Sequence, residues 1–203
     1  DALAHSGYGT LAARSYLLAA RGADEAEGLE LQRRAAHQLL RGGHIGEGLR
    51  TVEKVLERMG ERLPLTPRRA LFSLAVRRAR LTMRGLSFRE RDSTQIPPSD
   101  LLRADTLGSL AAALDMVDNV RGADFHTRYL LLALDLGDPV RIARAVALEA
   151  SYLASNGSSG PEQWREMMTR AKELAERTGD ARARGLALTV HSTATFLTGN
   201  WRE

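Results

Sequence analysis

The side chains best suited to chemistry in this sequence are arginines. Arg77, Arg80 and Arg84 recur at helical spacing, Arg68, Arg69, Arg78, Arg89 and Arg91 lie close by, and Glu90 is the only acidic residue in the run. A guanidinium presents a planar fork of N–H donors that matches carboxylates and phosphates two bonds at a time. Arg69, Arg77, Arg80, Arg84, Arg89 and Arg91 are therefore the candidate residues for holding an anionic partner. That partner could be an acidic peptide, another domain of the same polypeptide, or nucleic acid. The same run also fits a solvated helix face partly neutralised by Asp100, Asp105, Asp115 and Asp118 on the following helix. Nucleic acid is the poorer match of the three, because aromatics able to stack on bases do not interleave with these arginines.

No other set of residues has the spacing that catalysis or metal binding needs. His5, His37, His44, His126 and His191 are scattered, with no pair four residues apart to present two imidazoles on one helix face. They read as structural or exposed. The chain has no cysteine, which removes disulfides, thiolate metal sites and thiol nucleophiles together. Asp115 and Asp118 are expected on one helix face, and such a pair is usually solvated or paired with arginine rather than used for proton transfer. Phe88-Arg89-Glu90-Arg91-Asp92 lacks the histidine and downstream asparagine of a kinase catalytic loop, and Asp124-Phe125-His126 lacks the glycine of a magnesium-binding motif. Gly7-Tyr8-Gly9 is too short to cradle a phosphate, and no lysine follows a glycine cluster. The expectation is a binding protein with no catalytic residues, no metal and no cofactor.

The elements that position these side chains read as helices throughout. Hydrophobic residues make up 43% of the 203, charged residues 27% and aromatics only 5%. Leucine and alanine dominate, and β-branched residues come singly, so an all-α fold without a β-sheet is predicted. Net charge is +4, with Lys54 and Lys172 the only lysines among 29 basic residues. No apolar run approaches the roughly 18 residues of a membrane span, and no basic-then-apolar leader opens the sequence. A cytoplasmic setting is expected. Helices are predicted over 12–21, 25–41 capped by Asp24, 46–59, 67–84, 100–120, 123–136, 138–155, 161–178 and 180–198. Leu49, Val52, Val55, Leu56 and Met59 form one amphipathic stripe. Residues 85–99 read as the one long loop, broken by Pro97-Pro98 and anchored by Phe88 and Ile96. Asn156 to Gly160 reads as a flexible turn.

Glycines punctuate the helices in a repeating way. Gly7-Tyr8-Gly9, Gly43-His44-Ile45 and Gly199-Asn200-Trp201 each follow one helix and start the next. Gly122-Ala123-Asp124, Gly137-Asp138 and Gly179-Asp180 read as junctions between successive hairpins. Stacked helical hairpins of about 34 to 45 residues are the tetratricopeptide and related architectures. The prediction is one tetratricopeptide-like superhelix of degenerate repeats over 1–203, with the 85–99 loop dividing hairpins of 1–84 from those of 100–203. Both ends read as falling inside a repeat, as in a piece of a longer protein.

Several stretches carry a resemblance. They are Arg33-Arg34-Ala35-Ala36, Leu39-Leu40-Arg41-Gly42-Gly43-His44-Ile45, Phe88-Arg89-Glu90-Arg91-Asp92, Gln95-Ile96-Pro97-Pro98, Arg121-Gly122-Ala123-Asp124-Phe125, Ile142-Ala143-Arg144-Ala145 and Leu148-Glu149-Ala150. In this order they resemble the helical-repeat region of bacterial regulators that join a serine/threonine protein kinase domain to a predicted AAA-type ATPase domain. The resemblance implies a sensor or scaffold whose partners are proteins or peptides, with the kinase and ATPase chemistry elsewhere in the polypeptide.

Overall fold

The structure, a computed structural model, describes residues 1–64, 66–115, 117–156 and 161–199. Among them are ten α-helices and no strand: α1 (Ala2–His5), α2 (Gly9–Ala19), α3 (Glu25–Arg41), α4 (Ile45–Arg58), α5 (Pro67–Arg84), α6 (Pro98–Asp115), α7 (Asn119–Leu136), α8 (Pro139–Asn156), α9 (Pro161–Thr178) and α10 (Ala181–Leu197). No described helix is long and apolar enough to cross a membrane. Most ends follow their local signals. The Asp24 side chain accepts the Glu27 N–H at 2.8 Å and starts α3. Gly7, Gly43 and Gly199 take positive φ of 83°, 79° and 76°, as helix-ending glycines do. Asn156, the first residue of the expected turn, is the last of α8, while the rest of that turn, 157–160, and the helix expected after Gly199 lie outside the described residues.

Several boundaries differ from expectation: α2 runs from Gly9 to Ala19 instead of over 12–21, and α7 starts at Asn119 instead of 123. Helix α6 begins at Pro98, not Asp100. A proline at the first helical position gives up an N–H that has no partner there anyway. The single helix predicted over 100–120 is broken, because Asp118 caps α7 by accepting the Arg121 N–H at 3.0 Å. Asp115 ends α6 and Asp118 precedes α7, so the two carboxylates do not share a helix face. Gly122-Ala123-Asp124 is accordingly not a junction but part of α7. Its glycine answers a close approach, since a Cβ there would lie 2.6 Å from the Asp115 Cα.

The chain divides into two compact units, Asp1–Ala79 with Pro98–Phe125, and Arg80–Pro97 with His126–Glu203. The division therefore interleaves along the sequence instead of falling at the 85–99 loop. In the first unit α1 packs on α2, α2 on α3, and α3 on both α4 and α6. Ala12, Ala13 and Ala35 let the α2 and α3 backbones come close, and Tyr16 and Leu39 complete the cluster. Val52, Val55 and Leu56 of the predicted α4 stripe are fully buried.

In the second unit α8 packs on α9 and α10, and α9 packs on α10. The indole of Trp164, 1% exposed, fills the space left by Ala150, Ala154 and Ala194, with Met168 and Val190 around it. Asp180 starts α10 by accepting the Ala183 N–H at 2.6 Å, and Arg144 of α8 donates to the same oxygen at 2.9 Å. Partial burial pushes the Asp180 carboxyl up, but the bonds from Arg144 and the Ala183 N–H prevail and hold it below the ordinary aspartate value. Its stabilising contribution is thus present above that ordinary value and is lost as pH falls through the lower folded-state value. Asp180→Ala is expected to cost about 1 kcal/mol at pH 7. In denaturant titrations at stepped pH the gap to the wild type should narrow below about pH 4; a gap that widens there contradicts the assignment.

Candidate functional site: an arginine-lined groove

The site is built by the segment 85–97, which second-unit residues of α5, α7 and α9 and of the turn between α7 and α8 hold in place. Arg84, in the last turn of α5, donates through Nε to Asp135 Oδ1 of α7 at 2.9 Å. Its Nη1 donates to the carbonyls of Gly85 and Ser87 at 3.1 and 3.0 Å, folding the chain back at once. Arg170 of α9 donates to the Leu86 carbonyl at 2.8 Å and sets its guanidinium 6.0 Å from the centre of the Phe88 ring. Arg177 pairs with Glu90 at 2.6 Å. The Arg91 N–H donates to the Gly137 carbonyl between α7 and α8 at 2.9 Å.

The end of the segment closes on itself. Arg91 Nη2 donates to the Gln95 carbonyl at 2.8 Å. Asp92 Oδ1 accepts from the hydroxyl and the N–H of Thr94, and these two bonds hold its carboxyl below the ordinary value. Ile96 is 3% exposed and Phe88 half-buried, so both expected anchors turn inward.

This arrangement leaves an open groove of about 600 Å³ lined by Arg84, Ser87, Phe88, Arg89, Arg91, Leu134 and Asp135. Arg84 is committed to Asp135 and the loop carbonyls. Arg80, 69% exposed, reaches the same carboxylate only at 3.9 Å. Arg89 is exposed and makes no hydrogen bond or ion pair within the described residues. The groove thus offers one uncommitted guanidinium, a second from Arg91 on the same rim, and apolar surface from the half-buried Phe88. Such a surface can hold a carboxylate side chain beside an apolar one.

Of the six arginines singled out by sequence, Arg84, Arg89 and Arg91 line the groove, and Arg80 belongs to the same unit. Arg69 and Arg77 fall in the first unit. Arg69 is exposed. Arg77 is turned inward, donating to Ser73 and pairing at 3.3 Å with the fully buried Asp124. Its role there is structural. The carboxylates that answer Arg77 and Arg84 are Asp124 and Asp135, both on α7.

Sequence reasoning missed a buried polar pair. His126 Nε2 of α7 lies 2.7 Å from Glu149 Oε2 of α8, with the side chains only 7% and 6% exposed. The available signal was a single charge inside the apolar stretch Ala145-Val146-Ala147-Leu148-Glu149-Ala150, on a helix face that is otherwise buried. Among the described residues no group of three or more histidines and carboxylates could hold a metal ion. Comparison with protein-family models, curated proteins and solved structures finds no match to this chain.

Proposed function

We propose that the chain is a non-catalytic interaction module of tetratricopeptide-like hairpins that takes an acidic, partly apolar peptide of a protein partner into the groove of its second unit. The observation that carries this reading is the uncommitted Arg89 beside Arg91 and the partly exposed ring of Phe88. The hairpin reading is supported by α8, which packs both on α9 and on α10, as the first helix of a stacked repeat packs on its own partner and on its successor. Within bacterial signalling regulators of the kind the sequence resembles, a module of this sort joins domains of one cytoplasmic polypeptide or recruits another protein.

A fluorescein-labelled peptide alternating glutamate with leucine tests the idea by anisotropy. Arg89→Glu is expected to weaken binding at least tenfold, on the scale of about 1.5–3 kcal/mol for a charge-assisted bond. Because Arg89 makes no polar bond among the described residues, the thermal midpoint should stay unchanged. Equal affinity in the two proteins would sink the proposal. Displacement of the peptide by a single-stranded oligonucleotide, with a steep loss of affinity in salt, would instead favour nucleic acid as the partner.

A further inference from the structure

The first unit leaves one face of α5 uncovered. Leu71, Phe72 and Val76 are 53%, 73% and 52% exposed, and Ala75 and Ala79 beside them are exposed as well. Neighbouring positions among them fall one, three or four residues apart, so they lie along one side of the helix. The opposite side is the one that packs: Ala70 is 1% exposed, Leu74 is half-buried, and Arg77 reaches inward to Asp124. Single exposed apolar residues are ordinary, but a contiguous set of three large ones with two alanines marks an interaction surface.

The charges on this helix say what suits it. Pro67–Arg84 carries six arginines and no acidic residue, and Arg68 and Arg69 are exposed at the start of the apolar face. We propose that Leu71, Phe72, Ala75, Val76 and Ala79 form a docking surface for an amphipathic helix of a partner protein, its apolar stripe flanked by acidic residues. A second copy of this chain is a poor occupant, because pairing α5 with α5 sets arginines along the seam with no carboxylate from either helix to answer them. The relief favours a helix over a lipid surface. Ala75 and Ala79, one turn apart, make a notch beside the ridge of Phe72 and Val76, and a rigid partner helix can seat a side chain there. A fluid bilayer gains nothing from such a notch.

This surface shares no residue with the arginine groove, so the two can be tested apart. The probe is a synthetic amphipathic helix with a leucine stripe flanked by glutamates, titrated into the whole chain by calorimetry. Phe72→Asp with Val76→Asp, both on exposed positions, should lower affinity more than tenfold without changing the circular dichroism. Arg68→Glu with Arg69→Glu should lose the glutamate-flanked probe and gain a lysine-flanked version of it. Arg89→Glu should bind the helical probe like the wild type; if it loses this probe too, binding belongs to the groove and the inference fails. Unchanged affinity in the Phe72 and Val76 variant also overturns it. So does partition of the wild type onto phosphatidylserine-containing vesicles with no binding of the helix, or a wild-type dimer in sedimentation that the same variant dissolves.

Discussion

Gly137→Ala is expected to lower the stability of the second unit by more than about 3 kcal/mol, placing it among the most damaging single substitutions available to this chain. Two effects combine at this residue. Gly137 has φ of +78°, which costs an L-residue on the order of 1 kcal/mol. A Cβ there would also sit 2.2 Å from the Arg89 carbonyl oxygen, a backbone atom that no side-chain rotation can move away. Gly179 supplies the control, with φ of +67° and nothing within 4 Å of its Cβ position. Gly179→Ala should therefore show the conformational cost alone, about 1 kcal/mol. Chemical denaturation of the two variants side by side separates the effects, and equal losses would refute the steric argument. There is a functional consequence as well. The Gly137 carbonyl accepts the Arg91 N–H, so displacing this turn moves the rim that carries Arg89 and Arg91. Gly137→Ala should weaken the acidic peptide as well as the fold, whereas Gly179→Ala should leave the peptide alone.

How much of this was legible in the sequence depends on how far apart the deciding residues lie. Helices α3, α5 and α9 have the bounds their signals predict, because Asp24, Pro67, Pro161 and the glycines at 42 and 179 act on the turn next to them. Pro98 misled because two consecutive prolines read as a break, while the second of them is compatible with a first helical turn. The gap between α6 and α7 was missed because Asp118 resembles any exposed helical aspartate until its carboxyl is seen to accept the Arg121 N–H. The candidate site was legible by residue type and not by arrangement. The sequence places Arg77 and Arg84 on one helix face, but their fates are set by Asp124 and Asp135, which lie 47 and 51 residues away. The groove exists because Arg170 and Arg177 tie down Leu86 and Glu90 across 84 and 87 residues. Periodicity carries no information about such pairings.

The second large effect is expected at the buried pair of α7 and α8. His126 and Glu149 are almost wholly removed from water, so truncating Glu149 leaves the His126 imidazole in a medium that cannot solvate it. Glu149→Ala is expected to cost about 1–3 kcal/mol, because it leaves a buried imidazole N–H without this acceptor. His126 Nδ1 is buried with no hydrogen-bond partner among the described residues, which fits the tautomer that carries its proton on Nε2 and donates to Glu149, because a bare lone pair is cheaper to bury than a bare N–H. Replacing both residues by leucine removes the desolvation cost along with the bond. The double variant His126→Leu, Glu149→Leu should therefore lose far less than the sum of the single variants, with a coupling energy of roughly 1–3 kcal/mol. Additive losses would mean the two side chains do not act as a pair. What the pair contributes is register. The Tyr129 hydroxyl donates to the Arg141 carbonyl at 3.0 Å, so the contacts 126 to 149 and 129 to 141 run in opposite senses along two antiparallel helices. Alanine and leucine faces can slide by a turn at little cost, but the buried contact of His126 with Glu149 is made in one alignment only. The leucine double variant should accordingly stay helical and stable while its amide spectrum broadens around α7 and α8; a spectrum as sharp as the wild type would show that apolar packing alone sets the register.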